Sequence, residues 1–462
     1  MIEAVGCMNT MALRGRPGVH GRLIVLVILV ILVSSFPAYG TEDLKATAHD
    51  LVDQLFDGDA AVILARATPQ VRQALSKAQL KTAVESVRTM AGSFRSQVST
   101  RQEQVQGFDV VIVTCAFEKA MVDVQFAFDA NQRIAGFFMR PAAPTEQYSS
   151  PDYVDPDSFL ARDIVVDAGG WPLPGTLTTP VGDGPFPLVV LVHGSGPSDR
   201  DASFGPNKVF KDLAEGLASS GVAALRYDKR TFEHARRIAT LAEFTPKEEL
   251  IDDAIAAVAL ARTVSKIDGK RVYVLGHSLG GMMAPRIAQA DTTIAGLIIM
   301  AGAVRSMEQS IVDQARYLAE YDGQESADER QHLRELERFA RRVRSIQPGD
   351  DPVVGGGTSA PASYWLSMRD YDPPVTAAGL PQDLLVLQGA RDYQVTPADF
   401  ERWQSALREH PRSQTILYPA LDHLFFAGAG KSHPQEYSKA GHVEAEVIAD
   451  IAGWIKGLPS RP

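Results

Sequence analysis

Residues 271–281, Arg-Val-Tyr-Val-Leu-Gly-His-Ser-Leu-Gly-Gly, constrain this chain more than any other stretch. The segment begins as a short apolar, β-rich run and ends in a G-x-S-x-G pattern centred on Ser278. Met282 to Ala288 then reads as the opening of a helix. Five residues of this kind recur by chance, but strand, tight turn and helix in succession turn the match into a nucleophile elbow. The reason is steric. The serine must sit on a strained turn with its hydroxyl pushed out over the sheet edge. Gly276 and Gly280 leave room for neighbouring backbones, and the Leu279 amide then points at a developing oxyanion.

Strand and helix signals alternate on either side of this elbow. Leu188–Val192 is a buried strand and Val209–Ser219 an amphipathic helix ended by Gly221. Val222–Tyr227 is a strand, Lys247–Lys266 a helix, Arg271–Leu275 the elbow strand and Gly281–Gln289 its helix. Ile294–Met300 is again a strand. Later come Asp383–Leu387 (strand), Pro397–Arg408 (helix), Gln414–Tyr418 (strand) and Val443–Lys456 (helix). Apolar runs alternating with helices predict an α/β domain with a mostly parallel sheet covered on both faces. Ile164–Val166 and Leu173–Thr179 suggest an opening pair of strands. Between about 303 and 380 the rhythm breaks into a charged helical run, Asp328–Arg344, and the Gly/Pro/Ser-rich Pro348–Pro361. We expect this insertion to be a cap that shapes the substrate pocket, the alternative being a surface helical hairpin.

Upstream, residues 41–140 form a separate small α+β unit. Helical periodicity covers Ala46–Phe56, Ala60–Ala67 and Lys77–Met90. Strand-like runs follow at Gly92–Gln104, Gly107–Phe117, Ala120–Asp129 and Arg133–Met139. Residues 141–162 are rich in Pro, Ser, Ala and Thr, and read as a linker.

A serine nucleophile needs a base, an acid to orient it, and amides for the oxyanion. Each belongs at a strand end, because open α/β sheets place ligands outside the carboxyl ends of their strands. Asp392, just after the strand Asp383–Leu387, is the expected acid. Asp383 precedes that strand, and Asp399 sits at the start of the next helix, where a carboxylate helps the dipole. His423, after the last strand, is the expected base, with His433 and His442 as alternatives. The chain order Ser, Asp, His is the one this arrangement requires. His193-Gly-Ser-Gly-Pro follows the strand Leu188–Val192, so the amides of Ser195 and Leu279 are the expected oxyanion donors. His193 braces that loop, and His277 is a turn neighbour. The charged loops Ser198–Asp201 and Arg226–Arg230 are expected to pair and brace the mouth of the site.

The net charge of −10 offers no basic excess for phosphate, which argues against a general nucleic-acid binder. No Cys/His cluster has metal-ligand spacing, and the chemistry calls for no cofactor or metal. Of the two cysteines, Cys7 lies in a targeting segment and Cys115 in a strand, where it reads as a buried thiol. Arg14, Arg16 and Arg22 precede the apolar run Leu23–Val33, and Ala38-Tyr39-Gly40 offers a small-residue cleavage site. The run is shorter than the roughly 20 residues that span a bilayer, so residues 1–40 are expected to be a signal peptide. An uncleaved anchor is the alternative, and Met8 or Met11 is a candidate start.

Taken together, His-Gly-Ser-Gly-Pro-Ser-Asp-Arg-Asp, Arg-Tyr-Asp-Lys-Arg, Gly-His-Ser-Leu-Gly-Gly, Gly-Ala-Arg-Asp-Tyr-Gln-Val and Asp-His-Leu-Phe resemble the α/β-hydrolase superfamily. More narrowly they resemble bacterial carboxylesterases grouped with the serine aminopeptidase S33-like (hydrolase 4) and dienelactone hydrolase-like families. The resemblance covers residues 163–462 and implies that Ser278 is nucleophile, Asp392 acid and His423 base. The segment from around Asp57-Gly58 to Arg140 resembles a DUF3887-like domain with an NTF2-like look. One departure lies after Arg-Tyr-Asp-Lys-Arg, where relatives usually carry Gly and this chain has Thr231. The expectation is an exported serine hydrolase, periplasmic or secreted, that cleaves small-molecule carboxylic esters through an acyl-enzyme. Peptidase or thioesterase activity on the same residues stays open. So does a binding or envelope-scaffold protein with a vestigial hydrolase fold.

Overall fold

The computed structural model describes residues 43–458, apart from 60, 78, 82, 85–86, 88–92, 106, 118–120, 143–147, 322, 324, 326 and 356–357. The expected signal segment lies outside the described residues, as does much of the helix expected over 77–90. The chain forms two compact units that divide at residue 145/146.

In the first unit, helix α1 (Leu44–Phe56) starts at Asp43, whose carboxylate accepts from the Lys45 amide. Leu44, Ala48, Leu51, Val52 and Leu55 recur at helical spacing and are buried. Two short helices follow, α2 (Ala61–Ala65) and α3 (Pro69–Ala74). A meander of β1 (Phe94–Val105), β2 (Phe108–Phe117), β3 (Met121–Phe128) and β4 (Ile134–Pro141) pairs in that order, antiparallel throughout. Val111, Val113, Cys115 and Phe117 alternate along β2 and share one core with the buried stripe of α1. The rings of Phe56, Phe94 and Phe117 interlock at 5.1–5.6 Å. Burial pushes the Cys115 thiol up to about 12, with Asp123 and Asp53 adding to the effect, so it stays protonated and unreactive.

The second unit is built on a sheet of eight strands among the described residues. They are β5 (Phe159–Asp167), β6 (Pro172–Pro180), β7 (Phe186–Val192), β8 (Ala223–Tyr227), β9 (Ile267–His277), β10 (Gly296–Met300), β11 (Asp383–Gly389) and β12 (Ser413–Tyr418). The spatial order is β12-β11-β10-β9-β7-β8-β6-β5. The pairs from β12 to β8 are parallel, and β6 and β5 join antiparallel. Alternation along β7 shows why both faces need cover. Leu188, Val190 and Val192 enter one core, with helices α5 (Asp252–Thr263), α6 (Leu279–Ala290) and α10 (Pro397–Leu407). Val189 and Leu191 enter the other, with α4 (Val209–Ser219) and α11 (Ala445–Gly457). This is the α/β-hydrolase arrangement that the sequence led us to expect.

Two details depart from the sequence reading. Strand β5 starts at Phe159, inside the stretch read as linker, because Phe159–Arg162 pair with Leu177–Pro180. Its residues are mostly exposed, Leu160 by 70%. An edge strand held by ladder hydrogen bonds therefore left no apolar alternation to read. The Gly/Pro/Ser-rich segment of the insertion holds a small hairpin, Val353–Gly355 against Thr358–Ala360. Around it stand α7 (Met307–Ala319), α8 (Ala327–Ser345) and α9 (Ala362–Met368). Phe339, Val343, Val353 and Trp365 give this insertion a small core of its own, shared with Phe244.

Candidate active site

Chain direction across the sheet reverses at β7, which has β8 on one side and β9 on the other, and such a switch point opens a crevice at the strand ends. Ser278 stands there, between the end of β9 and the start of α6. Its backbone is at φ 55°, ψ −113°, a conformation that costs a non-glycine residue about 1–3 kcal/mol. The surroundings enforce it. The Ser278 amide donates to the Met300 carbonyl on β10 at 3.0 Å. The Cα of Gly276 abuts the Gly280 carbonyl, and that of Gly280 abuts the Val192 and His193 carbonyls, so a Cβ at either position would overlap backbone. The two glycines of the motif are thus the residues that let β7, the turn and α6 close on one another.

The loop after β7 meets the elbow directly. A Cβ on Gly194 would lie 3.2 Å from the Ser278 Cβ. Among the described residues, the amides of Ser195 and Leu279 have no hydrogen-bond acceptor, and both adjoin this contact. His193 is buried and its Nε2 meets the Asp199 carbonyl at 2.9 Å. Burial, then the Lys229 charge, lowers His193 to about 3, so the ring is neutral and braces the loop.

Asp392 and His423 are brought together. The Asp392 Oδ2 and His423 Nδ1 lie 2.6 Å apart, both buried. The other carboxylate oxygen accepts the amides of Gln394 (2.8 Å) and Val395 (3.0 Å). A carboxylate partner at Nδ1 fixes the proton there and leaves the Nε2 lone pair free to take one. Gly389 at the end of β11 runs so close to Leu421 and Asp422 that a side chain would not fit, which locks the acid and base loops together. His277 completes the link to the elbow. Its Nε2 donates to the His423 carbonyl at 2.9 Å and the two rings sit 4.7 Å apart. Burial lowers His277 to about 3, so it is a neutral strut.

The alternatives take other roles. Asp399 closes a capping box with Thr396 at the start of α10 and binds Arg305 at 2.9 Å. His433 caps a short helical turn, and His442 meets Asp212 at 3.2 Å. The charged loops pair as expected: Arg200 grips Asp228, Arg226 grips Asp201, and Arg230 binds Asp253 in the core. Among the described residues, no group of three or more His, Cys, Asp or Glu is placed to hold a metal.

Sequence reasoning missed two supports. Gln388 donates to Asp392 at 3.2 Å and to the Val395 carbonyl at 2.7 Å, holding the acid from below. A glutamine ending the apolar run Leu384–Leu387 was a visible signal. Lys229, read only as bracing, is fully buried and donates to the carbonyls of Gly194 (2.8 Å) and Gly196 (2.9 Å).

Residues 189–440 match the model of an alpha/beta hydrolase family, and residues 48–137 match a protein family of unknown function, DUF3887. The chain is 37% identical to esterase EstD of Thermotoga maritima, covering 94% of this chain and 99% of that one. It is 28% identical to quorum-quenching protein AidA of Acinetobacter baumannii over 29% of this chain and 42% of that one. Among solved structures, Est1E from Butyrivibrio proteoclasticus aligns over 64% of this chain and 99% of its own, at 17% identity and a TM-score of 0.41. An esterase from Pyrobaculum calidifontis aligns over 64% and 85%, at 16% identity and a TM-score of 0.42.

Proposed function

Because this chain belongs to the alpha/beta hydrolase family, we propose that it is a carboxylic ester hydrolase working through Ser278, His423 and Asp392. One observation carries the reading. The buried Asp392–His423 pair is tied through His277 to the strained serine at the switch point of the sheet. In this reading the Ser278 hydroxyl attacks the acyl carbon while His423 Nε2 takes its proton. The carbonyl oxygen gains the negative charge, and the Ser195 and Leu279 amides donate to it. Collapse expels the alcohol, which leaves with the proton held by His423. Water then repeats the sequence on the acyl-enzyme and releases the acid. Asp392 orients the ring and steadies the imidazolium through their hydrogen bond.

The insertion between residues 303 and 380 fits the part of a cap. Tyr317 on α7 stacks on Tyr393, next to the acid, at 4.9 Å, and Arg305 donates to the Gln394 carbonyl at 2.9 Å. The relative's name, esterase EstD, agrees with the chemistry. For location we favour export, resting on Arg14, Arg16, Arg22 and the apolar run that follows. Cell fractionation with sequencing of the mature N-terminus tests it, and a cytoplasmic, unprocessed chain would reject it.

The decisive experiment is hydrolysis of p-nitrophenyl esters of increasing chain length by the wild type beside Ser278→Ala. Activity that disappears in the variant supports the reading and gives the acyl preference. A wild type silent on every ester but still labelled at Ser278 by a fluorophosphonate would redirect it to thioesters or peptides. Silence in both assays would remove the enzyme reading altogether.

A further inference from the structure

We propose that Lys229 is a positioning residue for the oxyanion hole, its buried ammonium fixing and polarising the peptide group between Gly194 and Ser195. The proposal rests on the ester-hydrolase reading and on the following geometry. Lys229 is fully buried, and a buried ammonium is tolerated only when its donors are satisfied. All three find acceptors: the Gly194 carbonyl at 2.8 Å, the Gly196 carbonyl at 2.9 Å and Glu249 Oε1 at 2.6 Å. An ion pair alone would need only Glu249. The two carbonyls come from the loop that meets Ser278, and they flank Ser195. The Lys229 amide adds a third tie by donating to the Ser198 carbonyl at 3.0 Å.

The consequence follows from the planar trans peptide, in which C=O and N–H point to opposite sides. Drawing the Gly194 carbonyl toward the ammonium turns the Ser195 N–H the other way. Gly194 itself lies against Ser278. A cation on the carbonyl also polarises the peptide, which strengthens its N–H as a donor. With every proton committed to an acceptor, Lys229 is no candidate base. Its anchor reaches the insertion, because Glu249 Oε2 accepts from the Tyr364 hydroxyl on α9 at 2.8 Å. A hydrogen-bonded chain therefore runs Tyr364, Glu249, Lys229, Gly194.

The test compares the full-length wild type with Lys229→Met and with Lys229→Met/Glu249→Gln, the second leaving no unpaired charge if the first fails to fold. Loss of a whole oxyanion donor costs about 10²–10³ in kcat, so loss of its support is expected to cost about 10–100-fold in kcat, with KM changed less than about threefold. A trifluoromethyl ketone whose adduct carries an oxyanion should lose affinity by the same factor as kcat/KM. A merely structural role would not produce that match. Melting temperature identifies which variant is folded and therefore read. A folded variant within about threefold of wild-type kcat/KM, or one that loses activity with unchanged ketone affinity, overturns the proposal. Failure of the underlying reading is separate. If the wild type cleaves no ester, the rate of Ser278 labelling by a fluorophosphonate carries the comparison, since the phosphonyl oxygen needs the same donors. Equal labelling rates would then overturn the role of Lys229.

Discussion

Among the described residues of the second unit, two aspartates meet histidines: Asp392 meets a buried His423 and Asp212 a half-buried His442, and one pair stands beside the strained serine. Asp392 and His423 meet at 2.6 Å at the ends of β11 and β12. Asp212 and His442 meet at 3.2 Å, with Asp212 in the first turn of α4. The carboxylates differ in what else they hold. Asp392 is caged by the Gln394 and Val395 amides of its own loop and by Gln388 near the end of β11, so it presents one oxygen to one histidine. Asp212 gathers the Tyr148 hydroxyl (2.8 Å), the Val443 amide (3.1 Å) and His442, tying together two segments far apart in the chain. That is the pattern of a clasp. An acid beside an imidazole is therefore weak evidence of a site, and the strained serine with its close-packed glycines decides between the two.

The sharpest way to break the contrast is to remove each histidine. Taking His423 to Ala is expected to lower kcat by about 10⁶-fold, whereas His442→Ala stays within about threefold in the same ester assay. Comparable losses in both would dissolve the distinction. The acids come next. Asp392→Asn should cost about 10⁴-fold in kcat by presenting the wrong tautomer of His423. Asp212→Asn should leave kcat alone and lower stability by about 1–3 kcal/mol in urea unfolding, because it disturbs three hydrogen bonds made by a buried carboxylate.

Gly280→Ala probes the serine instead of the pairs. A methyl group against the Val192 carbonyl should destabilise the fold by about 1–3 kcal/mol and reduce activity with it. A variant as stable as wild type would mean that the elbow relaxes freely. The mildest prediction concerns Asp422, beside the base, whose amide partners are Leu424 and Phe426. Burial pushes its carboxyl up from 3.8 to about 6 despite those two amides. The folded chain thus holds this proton more tightly than the unfolded one, and the stability it lends is present below pH 4 and lost as pH rises through 6. Asp422→Asn should match wild type at pH 4 and gain up to about 3 kcal/mol above pH 6. A thermal-melting series across that range checks it, and a difference that does not vary with pH would refute the assignment.

Much of this was legible in the residues themselves. The elbow could be read because its glycines obey a steric rule that leaves few alternatives, and the sheet because the central strands β7, β8, β10 and β11 are buried on both faces. Asp392 and His423 were found by position, each just past a strand. What stayed hidden depended on partners distant in sequence. Lys229 and Glu249 pair across the fold, and nothing local to either names the other. The first half of strand β5 was read as linker because an exposed edge owes its shape to its neighbour. His442 was an alternative base in the sequence, and its partner Asp212 on α4, 230 residues away, could not be read there.

The placement of the insertion has a practical consequence. Everything that attacks and holds the acyl group in our reading, from His193 to Leu279, precedes it in the chain. Asp392 and His423 follow it. Strands β10 and β11, on either side of the insertion, pair in parallel from Gly296–Asp383 to Met300–Leu387. A chain divided within residues 347–361 would yield one fragment with a serine and no base, and another with a base and no serine. Ester cleavage would then report on a single event, the closing of the β10–β11 seam, and the enzyme would serve as a split reporter of its own assembly.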